Sequence, residues 1–426
     1  MDSSAPAEAR DGGGLYAFYR AMNSRERSAF WASSAGWGLD GLDYTIYPLI
    51  IGTIMAAWHV SAGQAGLATT VTLWLSAIGG WGAGYCSDRF GRVRTLQITI
   101  LWFGVCTLLC GLAQNFPQLL IARGLLGLGF GGEWAAGAAL MGETIRAKYR
   151  GRALGSVQSA WAIGWGIAVI LQAVAYSWLA PAMAWRAMFL FGAIPCVLLF
   201  FYIQKTVKEP DLAVAMRARA DHVLPPIWDI FAPSVIKRTL LASIAISGAQ
   251  GGYYAFNTWL PTYLKTERGL SVVGSTGYLG IQITGSFIGY LVGAWLSDKI
   301  GRRMVFLVFS AGTILMVLAY TQLPVGPTTL MLLGFPLGFC SSGYFSAVGA
   351  FLTELFPTRV RGSAQGFCYN FGRGFGALFP LAVGFLVDKG TPLGNAIAIF
   401  AVIAYLMFFA AAFALPETKG AELHAD

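Results

Sequence analysis

Long apolar runs alternate with short, basic turns along the whole chain. A helix needs about 20 apolar residues to cross a bilayer. Runs of that size fall near Ala29–Ala57, Gly66–Tyr85, Leu96–Ala113, Pro117–Leu140, Leu154–Leu179, Ala187–Ile203, Leu240–Leu264, Tyr278–Leu296, Met304–Leu323, Thr329–Leu352, Ser363–Val387 and Leu393–Leu415. They predict twelve helices, and an even number puts both termini on one side. Basic residues say which side. With the termini inside, 23 of the 29 Lys and Arg fall in cytoplasmic tails and loops, and four (Arg186, Lys265, Arg268, Lys389) face outward. The remaining two, Arg123 and Arg373, lie within runs.

The longest polar stretch, Gln204 to Arg238, carries Lys208-Glu209-Pro210 and Pro225-Pro226, which punctuate helices. It reads as a cytoplasmic linker, with a short amphipathic helix expected around Asp211–Ala220. The predicted layout is a cytoplasmic segment 1–28, a six-helix bundle 29–203, the linker 204–239, a second six-helix bundle 240–415 and a cytoplasmic tail 416–426.

Composition agrees with an all-α membrane protein: 426 residues, 56% hydrophobic and 12% charged, with a mean hydropathy of +0.61. The net charge of +9 is accounted for by basic loops and does not point to nucleic acid. The polar first 28 residues lack the apolar core and cleavage site of a secretory signal. Six cysteines without CxxC spacing read as small buried hydrophobes, so no metal or other cofactor is expected. There is no Walker loop, nucleophile elbow or metal-ligand cluster, which argues against an enzyme.

The two halves repeat. Gly84-Tyr-Cys-Ser-Asp88-Arg89-Phe-Gly91-Arg92 recurs 210 residues later as Ala294-Trp-Leu-Ser-Asp298-Lys-Ile-Gly301-Arg302. Glu143 and Gly151 recur 211 residues later as Glu354 and Gly362. Same-direction repetition of six-helix units suits a transporter whose halves rock about a midplane site. The chain resembles the major facilitator superfamily over nearly all its length, through the Gly84–Arg92 loop, Glu354-Leu-Phe-Pro-Thr-Arg-Val-Arg-Gly362 and the closing Pro416-Glu-Thr-Lys-Gly420. The second loop copy departs from the pattern at Ala294 and Lys299. Asp40-Gly-Leu-Asp43 resembles the Asp-Gly-x-Asp signature of the aromatic acid:proton and sialate/lactate:proton symporters, which differ in substrate.

Candidate chemistry starts from charge in the wrong place. Asp40 and Asp43 lie in the first run, Asp40 about 11 residues or ~16 Å along it. One ionised side chain at the centre of a membrane helix costs roughly 2.5–3.5 kcal/mol on insertion scales. At spacing i and i+3 the two share a face, so they are expected to face protein or a water-filled cavity. The alternative is a helix end frayed into the interface. Arg123 and Glu133 in the fourth run and Arg373 in the eleventh complete the set. Across the repeat none has a charged twin: the partners are Gly251, Tyr254, Gly334, Tyr344 and Ala162. Asp88, Arg92 and Glu143 do have one. The first group is therefore assigned to ligand and proton, the second to the rocking machinery.

Arg373, in Asn370-Phe-Gly-Arg-Gly-Phe-Gly, has glycines beside it and a planar fork suited to a carboxylate. It reads as an anion anchor, or else as a structural ion pair with Glu133 or an aspartate. The symporter resemblance implies an arginine in this span that holds a substrate carboxylate. Arg123 is expected to pair with Asp43, the alternative being an arginine snorkelling to headgroups. The resemblance links its position to proton coupling. Burial and a neighbouring arginine act in opposite senses on a carboxyl such as Glu133, so substrate arrival could switch its protonation. No histidine lies in a run, so the proton carriers are expected among Asp40, Asp43 and Glu133, with Arg123. Tyr47, Gln158, Trp161, Gln250, Tyr253, Asn257, Gln282, Tyr369 and Asn370 are further substrate-binding candidates; aromatic residues on helices are as often packing. Asp88, Arg89, Arg92, Glu143 and Arg152, mirrored by Asp298, Arg302, Glu354 and Arg361, form the expected cytoplasmic gate. Positive-inside anchoring alone would explain these arginines but not the paired acids.

The expected function is proton-coupled import of a small organic anion, a monocarboxylate with an apolar or ring-shaped body, by a monomer in the bacterial inner membrane. Two alternatives stand beside it. One is a proton-coupled exporter on the same fold, against which the fifth run (Gln158-Ser-Ala-Trp-Ala-Ile-Gly-Trp-Gly-Ile-Ala) lacks the expected proline. The other is a non-transporting membrane sensor.

Overall fold

The computed structural model describes residues 17–210, 214, 227–357 and 360–419; the side chains of 17, 18, 88, 147–152, 154, 227, 361 and 362 lie outside the description. The helix expected around Asp211–Ala220 falls outside the described residues apart from 214, as do parts of both tails.

The described residues are helical, with no strand among them. In chain order the helices are α1 Ala17–Ala21, α2 Ser24–Trp58, α3 Ala62–Phe90, α4 Arg92–Leu112, α5 Phe116–Thr144, α6 Ala147–Trp178 and α7 Pro181–Thr206. After a 3-10 turn at Ile227–Phe231 come α8 Ile236–Thr266, α9 Ser275–Ile300, α10 Arg302–Gln322, α11 Pro327–Gly343, α12 Phe345–Leu355, α13 Arg361–Gly376, α14 Leu378–Asp388 and α15 Leu393–Ala414. The tenth and eleventh apolar runs are thus each interrupted once, at Tyr344 and Ala377.

Local chemistry sets the ends. Asn23 and Glu26 form a reciprocal capping box at the start of α2, and Ser61 and Gln64 do so at α3. Asn115 with Pro117 starts α5. The α3–α4 and α9–α10 turns are single glycines, Gly91 at φ 107° and Gly301 at φ 95°. A side chain is strained at either angle, which is why both copies of the repeated loop keep glycine there.

Among the described residues, eight helical stretches are long and apolar enough by length and composition to cross a membrane. The other expected runs lie in α2, α3, α5 and α8, which have 35, 29, 29 and 31 residues. These helices are long enough but less apolar, because they carry polar groups inward. Asp40 and Asp43, Thr69 and Ser76, Arg123 and Glu133, and Gln250 and Asn257 are all buried. Trp74, Trp81, Ile98, Leu108, Leu198 and Leu406 instead point outward, giving an apolar belt of the kind a bilayer requires.

Helices α2–α7 pack on one another, as do α8–α15, and the two sets meet along α3 with α13 and α14, α6 with α9, and α2 with α8. Small residues let backbones touch. A Cβ at Gly127 or Gly131 would strike α3 carbonyls, and one at Gly285, Gly289 or Gly293 would strike α11 carbonyls or Gly343. This is the close packing that replaces the hydrophobic effect between helices in lipid.

Candidate functional site

Trp37, Asp40 and Tyr44, at i, i+3 and i+7, place one face of α2 against the middle of the molecule, where all three are buried. Gly36 leaves room for the Glu133 carboxylate of α5, and Gly41 lets the α6 backbone at Trp161 come close. Asp40 and Glu133 lie side by side as interacting carboxyls. Asp40 Oδ2 and Glu133 Oε2 have no hydrogen-bond partner.

Arg373 reaches this centre from α13 and is 2% exposed. Its guanidinium lies 5.0 Å from the Phe130 ring centroid and 5.2 Å from that of Tyr369, a cation–π enclosure. Tyr254 and Asp40 are close enough to act on it electrostatically, but among the described residues no carboxylate comes within ion-pairing distance of it. The expected alternative of an ion pair with Glu133 or an aspartate is therefore not found. Aromatic faces hold this cation, and the Asp40 and Glu133 carboxyls lie close enough to feel its charge.

Beside it is a central cavity of about 30 Å³ lined by Trp37, Gln158, Trp161, Gln250, Tyr253, Tyr254, Tyr290, Phe345, Tyr369 and Arg373. That is room for about two waters, so an organic acid needs the walls to move apart. Six of the expected binding residues (Gln158, Trp161, Gln250, Tyr253, Tyr369, Arg373) meet here. The walls are tied by Trp161 Nε1 donating to the Tyr253 hydroxyl (2.9 Å), Tyr254 to Gln250 Oε1 (3.0 Å) and Gln250 Nε2 to the Tyr369 carbonyl (3.2 Å).

The other four lie elsewhere. Asn257 and Gln282 bond to each other (3.1 Å) between α8 and α9. Asn370 donates to the Gly366 carbonyl and lines an outward-facing aromatic groove with Trp74 and Phe371. The Tyr47 hydroxyl donates to the Ala65 carbonyl (2.8 Å), and its ring lies 5.0 Å from the Arg123 guanidinium. Trp37, Tyr254, Tyr290 and Phe345 line the cavity without having been singled out. Tyr254 lay within the Gln250–Asn257 stretch, and Trp37 one turn before Asp40.

A second buried cluster sits within the first helix set. Arg123 Nη1 is 3.4 Å from Asp43 Oδ2, with side chains 0% and 2% exposed. Thr107 Oγ1 donates to Asp43 Oδ1 (2.8 Å). Arg123 Nε and Nη2 have no partner. The expected pairing is present, and Arg123 does not reach the surface.

At the end where α2 starts and α15 finishes, Arg92 Nη2 pairs with Glu143 (2.8 Å), and Arg302 pairs with Asp298 (3.1 Å) and Glu354 (3.0 Å). Arg89 is exposed and its guanidinium donates to the Tyr85 hydroxyl (3.3 Å). The side chains of Asp88, Arg152 and Arg361 lie outside the described residues. Two carboxylates were missed. Glu209 accepts from the Arg92 and Val93 backbone N–H (2.6 and 3.0 Å), and Glu417 accepts from those of Arg302 and Arg303 (2.9 and 3.1 Å). Each caps the helix that follows a repeated loop, and Glu209-Pro210 beside Pro416-Glu417 was the available signal.

At the opposite end, Asp388 of α14 accepts from Ser61 Oγ (2.9 Å) and from the backbone N–H of Ala62 (2.9 Å) and Gly63 (2.8 Å), so it caps α3 across the two sets. Thr70 Oγ1 donates to the Ala377 carbonyl (2.6 Å). Among the described residues, hydrogen bonds between the two sets lie here and around the core, at Trp161–Tyr253 and Tyr44–Thr258.

The family described as Major Facilitator Superfamily matches residues 34–326 and 278–425. A Cupriavidus pinatubonensis protein named "Probable 4-methylmuconolactone transporter" is 40% identical over 95% of this chain and 94% of its own. A cis,cis-muconate transport protein of Acinetobacter baylyi is 31% identical over 83% of this chain and 86% of its own. Among solved structures, a proton:xylose symporter bound to 6-bromo-6-deoxy-D-glucose superposes with a TM-score of 0.74 at 20% identity, covering 94% of this chain and 98% of that one.

Proposed function

The chain belongs to the major facilitator superfamily, a transmembrane transporter and not an enzyme, and from that premise we propose that it imports a small organic monocarboxylate together with a proton. In this reading it crosses the bacterial inner membrane twelve times with both termini in the cytoplasm. The observation that carries it is Arg373: a fully enclosed cation, held by aromatic faces, without a paired carboxylate, beside a cavity that both helix sets line. A planar, five-donor fork suits a carboxylate, and the Trp and Tyr walls suit a flat, mostly apolar body. The methylmuconolactone named for one relative is an unsaturated monocarboxylic acid of this kind, whereas the muconate named for another carries two carboxylates, and a single cation favours one carboxylate over two.

Asp40 and Glu133 share the centre with Arg373, and a substrate carboxylate arriving there competes with these carboxyls for the one positive group. Taking up a proton restores the balance, so anion and proton load together, and a monoanion with one proton moves no net charge. Asp43 and Arg123 form a second proton-responsive pair farther along α2. Alternating access then requires the Asp388 cap to open at one end and the Arg92 and Arg302 networks to rearrange at the other.

The test is uptake into proteoliposomes under an imposed pH gradient, acid outside, of 4-methylmuconolactone, cis,cis-muconate, benzoate and nicotinate. At least one acid is expected to accumulate and to stop accumulating when a protonophore collapses the gradient. Accumulation of none of these acids, or uptake indifferent to the gradient, overturns the proposal.

A further inference from the structure

Trp37 is 6% exposed, with its ring 4.3 Å from that of Trp134 and 5.1 Å from that of Trp161. Its Nε1–H has no hydrogen-bond partner, and neither has Arg373 Nε. Both residues line the central cavity, one from each helix set. Their neighbours in the wall differ: the Trp161 N–H is taken by Tyr253, the Tyr254 hydroxyl by Gln250, and the Gln250 amide by the Tyr369 carbonyl. Aromatic packing accounts for the indole ring of Trp37 but not for its stranded N–H. Phenylalanine would pack there without leaving a buried donor unpaired, which native interiors seldom do.

We propose that Trp37 Nε1–H and Arg373 form a two-point clamp for an acid bearing a second acceptor oxygen on its ring. The carboxylate sits on the Arg373 guanidinium, and a lactone, keto or comparable ring oxygen sits on the indole. This rests on the organic-acid reading above and narrows it to one class of acids. A buried donor built for an oxygen selects strongly against an analogue that lacks it, because the donor is then left unpaired. Trp37 and Arg373 belong to opposite helix sets, so the two-acceptor acid bridges the halves, whereas a plain carboxylate engages only one. Differential contact of this kind is what lets a ligand favour the closed arrangement.

The experiment is calorimetric binding of 4-methylmuconolactone and of 2-cyclopentene-1-acetate to the full-length protein in nanodiscs. The second acid keeps the carboxylate arm and a five-membered ring but has no ring oxygen. The wild type is expected to bind the lactone about tenfold more tightly, the scale of one net hydrogen bond. Trp37→Phe is expected to lose that preference by weakening the lactone far more than the carbocycle, and its remaining carbocycle binding also shows that it is folded. Equal binding of the two acids by the wild type overturns the clamp without touching the carrier reading, and needs no variant. Equal weakening of both acids in Trp37→Phe, or no change in either, also overturns it. If the wild type binds neither acid, the clamp falls, and the organic-acid reading is decided separately by the uptake test with benzoate and nicotinate.

Discussion

Arg373 and Arg123 are both buried cations, yet their surroundings set them to different tasks. Arg123 already has a carboxylate, Asp43, at 3.4 Å, while Arg373 is stacked against ring faces and, among the described residues, has no carboxylate at ion-pairing distance. Lysine at 373 would keep the charge but lose the planar fork and the stacking on Phe130. Arg373→Lys is therefore expected to weaken acid binding at least tenfold and to spare neutral analogues, measured by equilibrium binding; equal losses would make the residue structural. Asp43→Asn keeps the size of the side chain and a partner for Thr107 but removes the charge beside Arg123. It should abolish accumulation driven by the pH gradient and leave counterflow exchange close to wild type. Unchanged concentrative uptake would remove Asp43 from coupling. Both arginines were visible in the sequence because charge inside an apolar run has a known cost. Trp37 was not, since an indole in a membrane helix looks like packing until its N–H is seen to be stranded.

The helices show a second layer of residues that the linear pattern disguises. Glu26 looks like part of a polar tail, yet it is 1% exposed, completes the cap of α2 and accepts from the backbone and guanidinium of Arg146. Burial opposes its ionisation, but the Arg146 and Asn23 donors outweigh that and hold its carboxyl below the ordinary carboxylate range. A carboxyl with a lowered native pKa stabilises the fold above its unfolded pKa, and that stabilisation fades as pH falls through the native value. Glu26→Gln should therefore melt a few degrees below the wild type at pH 7, with the gap closing as pH drops below about 4. A gap that persists at low pH would assign Glu26 to packing instead. Glu209 and Glu417 were hard to find for the same reason: a carboxylate that caps a helix from a distant loop leaves no periodicity. The repeated loops themselves were legible, because the turn geometry at Gly91 and Gly301 excludes other residues.

For the whole molecule, hydropathy was enough to find the apolar runs that the long helices carry, since a run depends only on spacing along one chain. The contacts that close one half on the other depend on three-dimensional proximity, and Asp388 is the main example. Nothing about an aspartate beside Lys389-Gly390 announces that it reaches Ser61, Ala62 and Gly63, more than 300 residues away. An anion at a helix N-terminus contributes about 0.3–2 kcal/mol. Asp388→Ala is thus expected to speed maleimide labelling of a cysteine placed at Ala65, which is 0% exposed, several-fold in nanodiscs. An unchanged labelling rate would show that the cap adds nothing to closure. Three short hydrogen bonds converging on a single carboxylate have a mechanical implication. They tolerate little sliding, and a displacement that lengthens one lengthens the others, so this end of the protein should part abruptly, in the manner of a toggle and not of a spring.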